Sequence, residues 1–216
     1  MRCENMIRAI IPWLVLPLIG GCEQPQYLSA DTPDKLPVLQ GTSNARDAVS
    51  GYTSHPRATV RSEVIALAVA DTFSPYERAQ IARAVDKWNV VLNGFVRFEI
   101  IADETAAKSN PNELWVINAK QCSHAGPSNA LAVVKSHPAI SGGVIDIYVR
   151  RIGRRDLGGV VLHELGHALG LGHDNSGLMA EKYHPSRQRC VDKKTVEAVA
   201  TQRGLPLAQF NWCEDG

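Results

Sequence analysis

Eleven residues, His163-Glu164-Leu165-Gly166-His167-Ala168-Leu169-Gly170-Leu171-Gly172-His173, constrain this chain more than any other stretch. They call for a helix that ends at a fixed place. Residues four apart share a helix face, so a helix within residues 157–171 presents the imidazoles of His163 and His167 to one point, with Glu164 beside them. Gly170 supplies the left-handed backbone that ends helices, and the turn it allows swings His173 back toward the same point.

Three histidines with no fourth protein ligand suit a working zinc ion, because structural zinc is usually enclosed by four side chains, mostly cysteines. Zinc lowers the pKa of a bound water to about 7, and a carboxylate next to the metal can take that proton and later protonate a leaving amine. Glu164 has that place by adjacency to His163. The pattern therefore implies one catalytic Zn2+ held by His163, His167 and His173, with Glu164 as general base and acid.

The extended motif resembles the signature of the metzincin metallopeptidases, in which a methionine-containing turn follows. Ser176-Gly177-Leu178-Met179-Ala180 is similar to that turn, and Met179 is the only methionine after the motif. The resemblance implies that Met179 lies beneath the histidines as an apolar floor. It implies an α+β fold, a twisted mixed β-sheet backed by helices, with zinc on the active-site helix and a small C-terminal helical subdomain. The implied activity is that of a zinc metalloendopeptidase on a protein or peptide substrate. The short connection from His173 to Met179 resembles matrixin-like and small bacterial members, whereas Asp174 resembles the adamalysin type, which leaves the subfamily open. Tyr183 lies farther from Met179 than the tyrosine some metzincins use near the metal. It is expected to wall the pocket for the first residue after the scissile bond, with His184 and Pro185 beside it.

At the amino end, Arg2 and Arg8 precede an apolar stretch, residues 9–19, that is too short to span a bilayer and suits a secretory signal. Ile19-Gly20-Gly21-Cys22 resembles a bacterial lipobox, so residues 1–21 read as a lipoprotein signal peptide and Cys22 as the lipidation site. Several acyl chains on one residue give stable membrane attachment. Glu23, in place of an aspartate, points to an outer-membrane lipoprotein facing the periplasm or the cell surface. Residues 22–59 are rich in Pro, Ser, Thr, Asp and Gln without apolar periodicity and read as a tether. Latent matrixins cap their metal with a propeptide cysteine; the tether has no cysteine after Cys22, so that device is not expected.

Residues 60–216 make one domain with enough chain for a core. Residues 60–70 read as a buried strand, and Ser74-Pro75-Tyr76-Glu77 as a capping box opening a helix whose apolar face is Ile81, Ala84, Val85, Trp88, Val91 and Leu92. Gly94 is expected to stop that helix. Val96, Phe98 and Ile100 alternate as a half-buried strand; residues 114–117 form another, 131–134 an edge strand and 144–149 a further strand. In metzincins the edge strand holds an extended peptide, which the resemblance assigns here to residues 130–134. Near the carboxyl end, Asp192 is expected to cap a helix from Lys193 to Arg203 that Gly204 and Pro206 end.

Cys190 and Cys213 flank this last helix, and in an oxidising compartment a disulfide between them would staple it. Cys122 leaves the pairing open, since it can join either partner. A net charge of +1 argues against nucleic acid as a partner, and the cluster Arg150, Arg151, Arg154 and Arg155 reads as a solvated surface feature. The protein is expected to be monomeric. Two further functions compete with peptide hydrolysis: a non-catalytic zinc-containing lipoprotein that binds peptide or cell wall, and a hydrolase for a non-peptide amide such as a peptidoglycan cross-link.

Overall fold

A capping box sets the first long helix. In the computed structural model, which describes residues 51–56, 62–102, 109–110, 112–120, 129–136, 141–153 and 155–214, Ser74 Oγ accepts from the Glu77 N–H and Glu77 accepts from the Ser74 N–H at 2.8 Å. Pro75 opens helix α1 (Pro75–Leu92), whose buried face is the six residues expected. The stop is shared: Asn93 takes the left-handed conformation (φ 45°) just before Gly94.

Five strands form one mixed sheet in the order β2-β1-β3-β5-β4, with β1 (Glu63–Val69), β2 (Val96–Ile100), β3 (Leu114–Ala119), β4 (Ala132–Ser136) and β5 (Gly143–Ile147). All neighbours run parallel except β4, which is antiparallel to β5 and forms one edge. The fold is thus the α+β arrangement of a mixed sheet with helices. Strand alternation sends Ile65, Leu67, Val69, Phe98, Ile117, Ile145 and Ile147 into one core with α1 and helix α3 (Leu157–Ala168). Trp88 ties the two helices together, its indole N–H donating to the Leu162 carbonyl at 2.8 Å in a fully buried contact.

The strand expected over residues 144–149 stops at Ile147. Val149–Ile152 is instead a short helix, α2, closed by the Arg151 and Ile152 N–H groups on the Tyr148 carbonyl. Arg151 is also more than a solvated charge. Its guanidinium lies over the Tyr148 ring at 4.4 Å and donates to the Ala130 carbonyl at 2.9 Å, fastening the start of the edge strand.

On the other sheet face Asp146 is 3 % exposed and is held by Lys135 (2.6 Å), Lys120 (3.2 Å) and Asn118 (3.3 Å). Burial pushes its carboxyl up, but the hydrogen bonds and positive charge outweigh burial and the net shift is downward. A group more acidic in the folded chain contributes stability that is complete above the unfolded value of about 3.9 and is lost as pH falls through the folded value. We therefore expect Asp146→Asn to lower the urea midpoint at pH 7, and the gap to wild type to close as pH drops below about 4. A gap that persists at low pH would show that packing, not charge, is lost.

The tail follows its sequence signals. Asp192 caps helix α4 (Lys193–Arg203), Gly204 ends it, and Cys190 is bonded to Cys213 across a Cα separation of 5.9 Å. Residues 51–56, which composition places in the tether, lie along this tail: the Thr53 N–H donates to the Trp212 carbonyl (2.9 Å) and the His55 N–H to Asn211 Oδ1 (2.8 Å). The signal segment, Cys22, Cys122 and Arg154 fall outside the described residues. Among the described residues no helix is long and apolar enough to cross a membrane.

Candidate metal centre and cleft

Helix α3 starts on Asp156, whose side chain accepts from the Gly158 N–H at 2.9 Å, and ends in a Schellman motif. Gly170 has φ 93°; its N–H bonds to the His167 carbonyl (2.9 Å), and the Leu171 N–H bonds to the Gly166 carbonyl (3.0 Å). This closure folds the Leu171 carbonyl back to His167 Nδ1, at 2.7 Å. The Leu178 carbonyl meets His163 Nδ1 at the same 2.7 Å. A carbonyl only accepts, so both rings carry their proton on Nδ1 and direct an Nε2 lone pair away from it.

Those lone pairs converge. His167 Nε2 is 3.2 Å from His163 Nε2 and 3.1 Å from His173 Nε2, and the three candidate ligand atoms lie within 4.8 Å of one another. Unprotonated nitrogens this close repel unless a cation lies between them, and tetrahedral zinc with Zn–N near 2.05 Å spaces its ligands about 3.3 Å apart. The donor set fits a zinc ion. Burial is the main reason the His163 imidazole is pushed down to about 4; His167 and His173 add to the shift and the Leu178 hydrogen bond opposes it. His167 is lowered too, by burial first. Neutral rings are the form a metal requires. Glu164, 7 % exposed, is pushed up to about 7 by burial.

The turn after the motif holds His163 through the Leu178 carbonyl and packs on the helix that carries it. Met179, 2 % exposed, packs on Gly166, where a Cβ would run into the methionine sulfur. Asp174 braces the intervening loop: its N–H donates to the Met179 carbonyl (2.9 Å), Oδ1 accepts from the Ser176 N–H (2.8 Å), and Lys194 stands 3.0 Å from Oδ2. Asp192 links this turn to α4, with Oδ2 accepting from the Leu178 N–H and Oδ1 from the Thr195 N–H, each at 2.9 Å. Gly166→Ala is expected to cost about 1–3 kcal/mol by overpacking and to weaken zinc binding about tenfold by shifting the Leu178 carbonyl off His163. Thermal melts and competition with a zinc chelator measure the two effects.

The histidines and Glu164 line a cleft of about 1090 Å³. Residues 130–134, at the edge strand, form part of one side, and Arg155, Tyr183 and Gln188 part of the wall. Tyr183 lines the cleft and its hydroxyl accepts from the Asp156 N–H at 3.2 Å. His184 and Pro185, expected beside Tyr183, are not among the lining residues. His184 closes its own turn, with Nδ1 2.8 Å from Ser186 Oγ and its N–H on Gln188 Oε1 at 2.6 Å. Gln188 and Arg155 carry no local signal for the wall in the sequence, since only the folded chain shows which polar residues reach the cleft.

An α+β fold here gathers three histidine nitrogens beside a buried glutamate, in a cleft bordered by an edge strand, the set of groups that a zinc metallopeptidase would use. The family model for matrixins matches residues 103–202, just under half of the chain, and supports that class. No curated protein matches the sequence. Among solved structures, the chain is similar to high choriolytic enzyme 1, a hatching enzyme zinc-protease from Oryzias latipes, with 23 % identity over 55 % of this chain and 49 % of that one and a TM-score of 0.35. It is also similar to archaemetzincin from Methanopyrus kandleri, with 15 % identity over 61 % of this chain and 88 % of that one and a TM-score of 0.41. The match thus spans about half the length of the hatching enzyme.

Proposed function

We propose that this protein is a zinc-dependent endopeptidase that hydrolyses peptide bonds with Glu164 as its general base and acid, on a domain lipid-anchored outside the cytoplasm. One observation carries the reading: Glu164 is buried, lines the cleft next to the converging histidines, and has no hydrogen-bond partner among the described residues. A site built only to bind has no use for a desolvated carboxylate there, because the three histidines alone would hold a metal. Zinc bound by His163, His167 and His173 supplies Lewis acidity, polarising a carbonyl and lowering the pKa of water to about 7.

The protein's own groups do the rest. Burial holds the Glu164 carboxyl near 7, where it can take a proton from the attacking water and release it to the departing amine. The edge of β4, unpaired among the described residues, offers main-chain donors and acceptors to an extended peptide laid along the cleft, and Tyr183 walls the pocket for the residue after the cut. Met179 is buried against Gly166 of the helix that carries His163 and His167.

The test is to incubate the full chain, with its zinc content measured, with an unfolded protein and to sequence the new amino termini. Cleavage that a chelator stops and zinc restores is the expected result. Stoichiometric zinc with no bond cut would instead favour a binding lipoprotein, and release of a wall amide without peptide cleavage would favour the amide hydrolase. The location rests on Arg2, Arg8, the apolar residues 9–19 and Cys22, together with a disulfide of the kind that persists in oxidising compartments. Cys22→Ala is expected to abolish acyl labelling and move the protein from the membrane to the soluble fraction; unchanged membrane recovery would refute the anchor.

A further inference from the structure

Gln188 sits where the cleft wall meets the active-site helix. It is 2 % exposed yet lines the cleft with Val160, Tyr183 and Arg155. Its backbone N–H donates to the His184 carbonyl at 3.3 Å, and its Oε1 accepts from the His184 N–H at 2.6 Å. That second bond fixes which end of the amide is oxygen. The NH2 end then carries two donors, and no acceptor faces them among the described residues.

We propose that Gln188 makes this pocket selective for a substrate side chain that accepts hydrogen bonds, a carboxylate or carboxamide, over an aliphatic one. The inference rests on the peptidase reading above and names the chemistry of the residue following the cut. The NH2 keeps access to the cleft. A bound side chain that shuts it off from water without offering an acceptor leaves it unpaired at a cost, so the pocket favours the ligand that satisfies it and rejects the isostere that does not. Charge points the same way. Arg155 uses one nitrogen on the Arg151 and Ile152 carbonyls (3.0 and 3.5 Å) and keeps its positive charge at the exposed mouth of the cleft. Lys182 and Glu181, both exposed on the same wall, offset each other. A carboxylate entering past Arg155 meets a cation first and a paired amide donor at depth.

Peptide hydroxamates test this without relying on turnover, because the chelating group anchors at the metal and the adjoining side chain can be varied. Affinities of Glu, Gln, Leu and Lys versions for the zinc-loaded full chain are measured by calorimetry, alongside cleavage of matching peptides. The Glu and Gln versions are expected to bind about tenfold tighter than Leu. Gln188→Glu keeps the oxygen that closes the loop on His184 but replaces the donors by a carboxylate oxygen, and is expected to turn the preference from Glu to Lys. Gln188→Leu is expected to favour the Leu version. A native preference for Leu, equal affinities, or a ranking that Gln188→Glu leaves unchanged would overturn the proposal. Selective hydroxamate binding without cleavage of any peptide would leave the pocket chemistry standing and remove the peptidase reading instead.

Discussion

Glu164→Ala is expected to lower kcat/KM by about a thousandfold while leaving zinc content unchanged. The side chain makes no hydrogen bond among the described residues, and burial alone raises its pKa. Removing it relieves a desolvated carboxyl and breaks no contact with a ligand, so the melting temperature should hold or rise. That pattern, with activity lost and both metal and stability kept, separates a group acting on substrate from one holding the site together. Glu164→Gln, which keeps shape but not basicity, should be equally inactive. Full activity in either variant, with zinc measured in the same sample, would remove Glu164 from the mechanism.

The second large effect is expected at Asp192, which is not among the residues that line the cleft. Its two oxygens cap α4 through the Thr195 N–H and hold the Leu178 N–H, and the Leu178 carbonyl in turn orients His163. Asp192→Ala should therefore cost about 1–2 kcal/mol from the cap alone and weaken zinc binding about 10–100-fold, as loss of groups behind metal ligands does. The Asp192→Asn variant keeps an acceptor for the cap and should recover most of the stability. Denaturant unfolding combined with chelator competition reads both quantities. If stability falls while zinc affinity stays native, Asp192 is a helix cap only and the link through Leu178 is wrong.

Much of this was legible because the signals are local. The capping box at Ser74, the apolar face of α1, the glycine that ends α3 and the Asp192 cap each depend on residues a few positions apart, and all formed where expected. Convergence of His163, His167 and His173 follows from helix geometry plus one turn, which is also local. What stayed hidden depends on contacts between distant segments. Residues 51–56 have the composition of a tether, yet their backbone finds partners in Trp212 and Asn211. The strand before α2 ends early, at Ile147, where Tyr148 accepts the first bonds of a helix, and apolar alternation carries no sign of that. Tyr183 lines the cleft, but proximity to it suggests His184 and Pro185 as sharers of the wall, whereas the loop closes on His184 and Gln188 lines the cleft instead. Periodicity could not show that closure, because the turn has no repeat.

The two acceptors that set the histidine protons, Leu171 O and Leu178 O, both belong to the main chain. Every amino acid brings the same carbonyl, so the genetic code can vary residues 171 and 178 without deleting the partner that keeps each ring in its metal-binding tautomer. Both leucines are buried in the core, so it is packing and not the hydrogen bond that restrains their side chains. A substitution there reaches the metal only by moving the backbone that carries the carbonyl, the same route by which crowding at Gly166 or Gly170 would act.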